Sequence, residues 1–275
     1  LSLLGLAPKP AARIVSGEII LDGEDLVQKT DEEMRQIRGR DMAMILQDPM
    51  ASLNPLFSIF DQVAEPAYYH QQLRRSRLRE RVRQLLASVR IPSPEVRMRE
   101  YPHQMSGGMR QRIVGAMAMA GGPKLIVADE PTTNLDVTIQ LQYLNLLKEI
   151  QREAGVALIF VTHNLGIVAK MCDKVAVMYA GKIVEQGSVR EMYTNPKHPY
   201  TEALLNSIPK IGDKESLYII PGQPPDLAEE RIGCSFQPRC PYAVEKCALE
   251  TPEEVVLKNG RVAQCWLPLM ETQNA

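Results

Sequence analysis

Two adjacent carboxylates, Asp129 and Glu130, close the stretch LIVADE. Four apolar residues before them read as a short buried strand, so the pair stands where a strand ends and the chain turns. Carboxylates in that position suit phosphoryl chemistry. The first can hold a Mg²⁺ bound to the β- and γ-phosphates of a nucleotide, and the second can draw a proton from an attacking water as general base. A strand running into an ordinary acidic turn has the same appearance, so the pair needs corroboration from elsewhere in the chain.

The corroboration lies on both sides. MSGGMRQR, residues 105–112, places Ser106 to cap the helix that follows, and Gly107 and Gly108 let the backbone approach an anion at that helix N-terminus. SGG alone would pass for a plain turn before a helix. Here it lies 23 residues before Asp129, joined to it by the small-residue helix IVGAMAMAGG. His163 ends the strand ALIFVTH, 33 residues after Glu130, at the same edge of the inferred sheet, where ligands bind in open α/β folds. From there it could hydrogen-bond a γ-phosphate oxygen. Gln47, at the end of MAMIL, could meet the metal or its water, and NLD, Asn134 to Asp136, adds an acidic turn. One part is missing: no G-x-x-x-x-G-K-[ST] phosphate loop occurs in the 275 residues.

Apolar strands alternating with helices must position these groups. IVSGEIILD (14–22) reads as a strand, a turn and a second strand, and MAMIL (42–46) as a buried strand. Residues 58–120 turn helical and form a lobe. KLIVAD, VALIFVTH and the hairpin KVAVMYAGKIVEQG are strands, separated by the helices VTIQLQYLNLLKEIQREAG and LGIVAKMC. Strands buried on both faces and separated by helices imply an α/β fold with a mainly parallel sheet. From about residue 196 proline becomes frequent and periodicity fades, which gives a loop-rich extension over 196–275.

Composition excludes several functions. A net charge of -1 gives no global attraction to nucleic acid or anionic membrane. The run RRSRLRERVR (74–83) is the solvated face of a helix whose other side carries Leu78, Val82, Leu85 and Leu86. No apolar run approaches the roughly 18 residues of a membrane span. The start, LSLLGLAPKP, has neither an initiator Met nor a basic n-region, and reads as the middle of a helix whose beginning is expected to be missing.

Four of the five cysteines, Cys234, Cys240, Cys247 and Cys265, crowd the last 42 residues with spacing C-x5-C-x6-C-x17-C. Thiolates gathered by turns suit iron–sulfur or zinc, though the C-x2-C of common zinc sites is absent; a metal-free cluster of thiols is the third reading. Cys172, apolar-flanked on a helix, reads as a core residue.

In order along the chain, this set resembles the ATP-binding subunit of ABC transporters. Gln47 matches the Q-loop, MSGGM the signature, LIVADE the Walker B strand, NLD the D-loop and His163 the switch histidine. LQDPMASLNP (46–55) and NPKHPYTEALLNSIP (195–209) look like the oligopeptide/dipeptide/nickel importer branch, so the resemblance covers nearly the whole chain. It implies an ABC-type ATPase with a parallel sheet core, an ATPase domain over 1–195, a helical signature subdomain at about 58–120 and a Cys-containing extension over 196–275. It implies ATP and Mg²⁺ as ligands and a [4Fe–4S] cluster on the four cysteines, with Zn²⁺ as the alternative. The implied partners are a second ATPase subunit, two permease subunits and, indirectly, a substrate-binding protein, at the cytoplasmic face of a prokaryotic plasma membrane; nucleic acid is not among them. By the same resemblance Ser106, Gly107 and Gly108 grip ATP held by the partner, Asp129 binds Mg²⁺, Glu130 activates water, His163 senses the γ-phosphate, and Gln47 and Asp136 line the nucleotide site. Two departures stand out. Asn134 occupies a position that usually holds a small residue. LSLLGLAPKP fits the distal end of the phosphate-loop helix, so the residues as given are expected to bind ATP weakly and hydrolyse it negligibly. A non-hydrolytic subunit that only lends its signature to a partner is the alternative, and the sequence preceding Leu1 separates the two. A soluble DNA-repair ATPase of the same fold is the third reading, disfavoured by the Q-loop stretch, the Cys tail and the lack of coiled-coil arms.

Overall fold

The computed structural model describes residues 1–133, 135–209, 218–228 and 232–268, with nothing described of the residue 258 side chain. They fall into two compact units, Leu1–His163 and Asn164–Ala275.

After a 3-10 turn at Ser2–Leu4, the first unit forms a hairpin of two-residue strands, β1 (Ile20–Leu21) on β2 (Glu24–Asp25). Its turn is Asp22-Gly23, with φ of 51° and 85°. Positive φ at both central residues matches the twist of the flanking strands, and Asp-Gly tolerates it. The hairpin therefore starts later than the expected strands across 14–22, because the turn chemistry resides in Asp-Gly and not in Ser16-Gly17.

α1 (Asp31–Ile37) follows, opened by a capping box between Thr30 and Glu33. β3 (Met42–Ile45), β4 (Leu125–Asp129) and β5 (Ala157–Val161) form a parallel sheet in that order. Met34 and Ile37 of α1 pack with Leu4, Leu26, Met42 and Val127 into one core beneath β3 and β4. β4 is central and buried along its middle three residues. β5 departs from the expectation of strands buried on both faces: Ile159 and Val161 are 39% and 48% exposed. β3 is also an edge strand of this sheet but is buried, so the exposure of β5 reflects the lack of cover over Ala157, Ile159 and Val161 and not its place in the sheet.

Parallel strands need long crossovers. Between β3 and β4 run α2 (Pro49–Ser52), α3 (Ile59–His70), α4 (Arg75–Ser88), α5 (Pro94–Arg97) and α6 (Gly107–Ala120). α4 sinks Leu78, Val82, Leu85 and Leu86, with Arg75, Arg77 and Arg79 exposed and Arg81 and Arg83 half-buried; each such apolar burial is worth about 1.5–3 kcal/mol. α3 packs on α4 and α6, and α6 packs on β3. Between β4 and β5 runs α7 (Val137–Ala154), which stops at Gly155 with φ 64°.

The second unit carries α8 (Leu165–Met171) and the hairpin β6 (Lys174–Tyr179) and β7 (Lys182–Ser188), turning at Ala180-Gly181 with φ of 50° and 78°. α9 (Val189–Thr194), α10 (Pro199–Asn206) and α11 (Glu245–Leu249) follow. β8 (Val255–Val256) and β9 (Val262–Ala263) extend the hairpin to an antiparallel sheet in the order β6-β7-β9-β8. The short strands near residues 255–263 thus pair with the β6–β7 hairpin inside this unit. Cys172 is the half-buried C-cap of α8.

Candidate functional site

The C-terminal ends of β3, β4 and β5 open at one edge of the sheet, and Glu130 lies at the meeting point. Its backbone N–H donates to Val161 O at 2.9 Å, which ties the turn after β4 to β5. It holds φ at 43°, a conformation non-glycine residues adopt rarely and mostly where the surroundings enforce it. Three side chains converge on its carboxylate. His163 Nδ1 lies 2.8 Å from Oε1, Thr133 Oγ1 donates to Oε2 at 2.9 Å, and Gln47 Nε2 donates to Oε2 at 3.2 Å. The contact to an ionised carboxylate requires Nδ1 to carry a proton. The hydrogen bonds from His163 and then Thr133 hold the Glu130 carboxyl below the ordinary glutamate range, so it is ionised at neutral pH.

Of the residues singled out in the sequence, the fold therefore joins Gln47, Glu130 and His163 directly. Asp129 stands beside them, half-buried, as the last residue of β4. Asp136 is at the N-cap of α7, where its carboxylate accepts from Thr138 N at 3.1 Å and Ile139 N at 3.0 Å. Asn134 lies outside the described residues. Ser106 caps α6, its Oγ accepting from Met109 N at 3.3 Å, with Ser106 and Gly107 exposed and Gly108 half-buried. Among the described residues no hydrogen bond links this glycine turn to the Glu130 cluster. The two glycines differ. A Cβ on Gly108 would come to 3.0 Å from Ile139 Cγ2 of α7, whereas one on Gly107 would meet nothing within 4 Å. The packing of this chain therefore demands a small residue at Gly108 and makes no such demand at Gly107. Thr133 was not singled out in the sequence; its signal was the three-residue spacing from Glu130 across a turn.

The four tail cysteines share one cavity. Cys234, Cys240, Cys247 and Cys265 line one cavity of about 20 Å³, together with His198, Phe236 and Trp266. Cys234 N donates to Cys247 O at 2.8 Å, which closes the loop that brings two of them together. Burial pushes the Cys265 thiol up to about 11, with the neighbouring thiols acting in the same direction. Four thiols on one cavity supply the donor set of an iron–sulfur or zinc centre, and a buried indole N–H without a partner sits among them. The donor chemistry fits such a group. The volume admits about one water, so the walls must part to admit it. Among the described residues no three His, Cys, Asp or Glu side chains converge closely enough to hold a metal ion.

Next to the cavity is a buried ion pair that the sequence did not disclose. Glu185 of β7 is fully buried and pairs with the Arg261 guanidinium beside β9. Glu185 also accepts the backbone N–H groups of Lys197 and His198 at 2.8 and 2.9 Å, and Arg261 Nη2 donates to Asn195 O at 2.6 Å. The NPKHPY stretch is thereby pinned between the two strands.

Comparison with known proteins agrees with this geometry. The ABC transporter family profile matches residues 3–133, and the profile of the oligopeptide/dipeptide transporter C-terminal region matches residues 184–247. The chain belongs to the ATP-binding subunits of ABC transporters, an ATPase family. It is 44% identical over 275 residues to the dipeptide transport ATP-binding protein DppD of Bacillus subtilis, covering 100% of this chain and 82% of that protein. It is 47% identical over 268 residues to a probable peptide ABC transporter ATP-binding protein of Sinorhizobium fredii, covering 97% and 80%. Among solved structures, the cbiO1 subunit of an ABC transporter complex from Clostridium perfringens superposes with a TM-score of 0.57 at 28% identity, over 66% of this chain and 69% of that one. A bacterial ABC transporter cassette solved as a dimer gives 0.56 at 26% identity, over 64% and 75%.

Proposed function

We propose that this chain is the ATP-hydrolysing subunit of a prokaryotic importer for di- or oligopeptides. It works as one of a pair of such subunits beneath two permease subunits, at the cytoplasmic face of the plasma membrane, with cargo chosen by a separate binding protein. Residues 1–195 form the ATPase part, with its helical lobe at about 58–120, and 196–275 the importer-type extension. The observation that carries this reading is the Glu130 carboxylate held at the sheet edge by side chains from the ends of β3 and β5. The names of its relatives point to peptides as cargo.

Each residue has a task in this reading. Asp129, at the end of the central strand, would hold the Mg²⁺ of MgATP. Glu130, ionised, would take the proton of the attacking water. His163 and Gln47 hold Glu130 when no nucleotide competes, and each can turn to the γ-phosphate or to the metal's water. Asp136 fixes the turn before α7. The hydroxyl proton of Ser106 and the free N–H groups at the start of α6 would grip the phosphates of ATP held by the partner. The exposed Gly107 is consistent with a partner approaching there.

The test is Glu130→Gln against Asp129→Asn in the full-length protein with its partner subunit. Loss of a general base costs about 10²–10⁴ in rate. Glu130→Gln should therefore bind ATP, pair and fail to turn over, whereas Asp129→Asn should neither pair nor turn over. ATPase rate and dimer mass by light scattering read both. Glu130→Gln turnover above about a tenth of wild type would lie outside the range for a lost general base and would assign Glu130 a structural role.

The four cysteines, in the same reading, hold an iron–sulfur cluster in preference to zinc. The support is their shared cavity and a spacing that lacks the C-x2-C of common zinc sites. When bound, the group would supply redox-active iron and cross-link the tail. Anaerobic purification should give iron and an absorbance near about 400 nm, lost on Cys→Ser substitution at any of the four positions and kept in Cys172→Ser. Colourless, iron-free protein after reconstitution would reject the cluster.

A further inference from the structure

The cavity formed by the four cysteines contains one polar group that the cysteine reading leaves unexplained. Trp266 lines it, and its Nε1–H is out of solvent with no hydrogen-bond partner. An indole nitrogen is a donor only, so it cannot be satisfied by turning into an acceptor. Leaving a donor buried and unpaired is costly, and native proteins seldom do so without a reason. The rest of the wall is apolar side chains, the His198 ring, Gln237, Tyr242 and the thiols; neither Gln237 nor Tyr242 accepts the indole N–H, and a neutral thiol is a weak acceptor. A thiolate or a bridging sulfide is a much better one. Lys246 adds a second observation: its Nζ sits 3.7 Å above the Trp266 ring. A cation on the face of an indole withdraws electron density from it and strengthens its N–H as a donor toward an anion.

We infer that Trp266 is a positioning residue for an anionic sulfur centre in this cavity, donating its indole N–H to a cluster sulfur and raising the reduction potential. The inference rests on the reading that the cysteines hold a cluster. Hydrogen bonds to cluster sulfurs are among the factors that set the potential. The donor favours the more negative, reduced state, so removing it lowers the potential.

Trp266 is the only tryptophan among these 275 residues, and its indole signal is identified by its loss in Trp266→Phe. The full-length protein, wild type and Trp266→Phe, is reconstituted anaerobically with iron and sulfide. Iron per chain, the mediator-titrated midpoint and the Trp266 indole ¹H–¹⁵N resonance are measured. Trp266→Phe keeps an aromatic ring under Lys246 and loses only the donor. The expected result is equal iron content, a resonance that shifts on reconstitution of wild type, and a lower midpoint in Trp266→Phe. A charge-assisted hydrogen bond is worth about tenfold in the oxidised-to-reduced ratio, or 59 mV for one electron. A wild type that takes up no iron overturns the cluster reading and this inference together. A wild type with full iron but an indole resonance indifferent to it, or a Trp266→Phe midpoint equal to wild type, overturns this inference alone. In the former case the partner of the indole is a buried water. If Trp266→Phe does not fold, the wild-type resonance still decides.

Discussion

His198 converts burial into pH dependence. It N-caps α10, its Nδ1 accepting the Tyr200 N–H at 3.0 Å, and its ring lies against Phe236 with centroids 5.9 Å apart. Burial drives its pKa from 6.5 down to about 4, opposed only weakly by the nearby Glu185. The folded ring stays neutral down to about pH 4, while the unfolded chain takes up a proton below about pH 6.5. Between those values the unfolded state binds more protons, so stability falls as pH drops through the window and levels off beneath it. Integrating the two titrations gives a loss of about 2 kcal/mol from pH 7 to pH 5 and about 3 kcal/mol from pH 7 to pH 4. Urea unfolding followed by Trp266 fluorescence reports this directly, since Trp266 shares the unit with His198. His198→Asn keeps a capping acceptor and cannot titrate. Its stability should be offset by a constant and should lack that share of the slope between pH 7 and pH 4. A slope equal to wild type would show that His198 is not buried neutral and would refute the reasoning.

Gly107→Ala should leave the unfolding midpoint of the isolated chain within about 0.5 kcal/mol, because its Cβ meets open space, while ATP-dependent pairing by light scattering should weaken. Equal pairing would remove Gly107 from the proposed interface. Arg261→Met strands the buried Glu185 carboxylate and should cost about 3–5 kcal/mol by chemical unfolding. Glu185→Leu with Arg261→Met should recover most of that loss, since no buried charge is then left unpaired. The Glu130 and Asp129 variants should separate by dimer mass, one pairing without turnover and the other doing neither.

What could be read without coordinates was local. Ser106 before a helix, Asp129 at the end of an apolar run and the arginine face of α4 follow from caps and periodicity, which depend on residues within a few positions of one another. The order of the motifs along the chain was enough to identify the family for the same reason. The hairpin at Asp22-Gly23 was also local, but two-residue strands carry almost no periodicity and the turn was misplaced to Ser16-Gly17. Tertiary packing decided the rest. Gln47 and Glu130 are 83 residues apart, and Glu185 and Arg261 are 76 apart; nothing in the spacing says that either pair meets. β5 is as apolar in sequence as β4, yet it is half exposed, because burial depends on what covers a strand and not on its own composition. The cysteines could be counted in the sequence, but only the fold placed them on one cavity with the Trp266 N–H. A buried donor is a property of its surroundings, and no residue type or spacing along the chain encodes whether an acceptor lies opposite it.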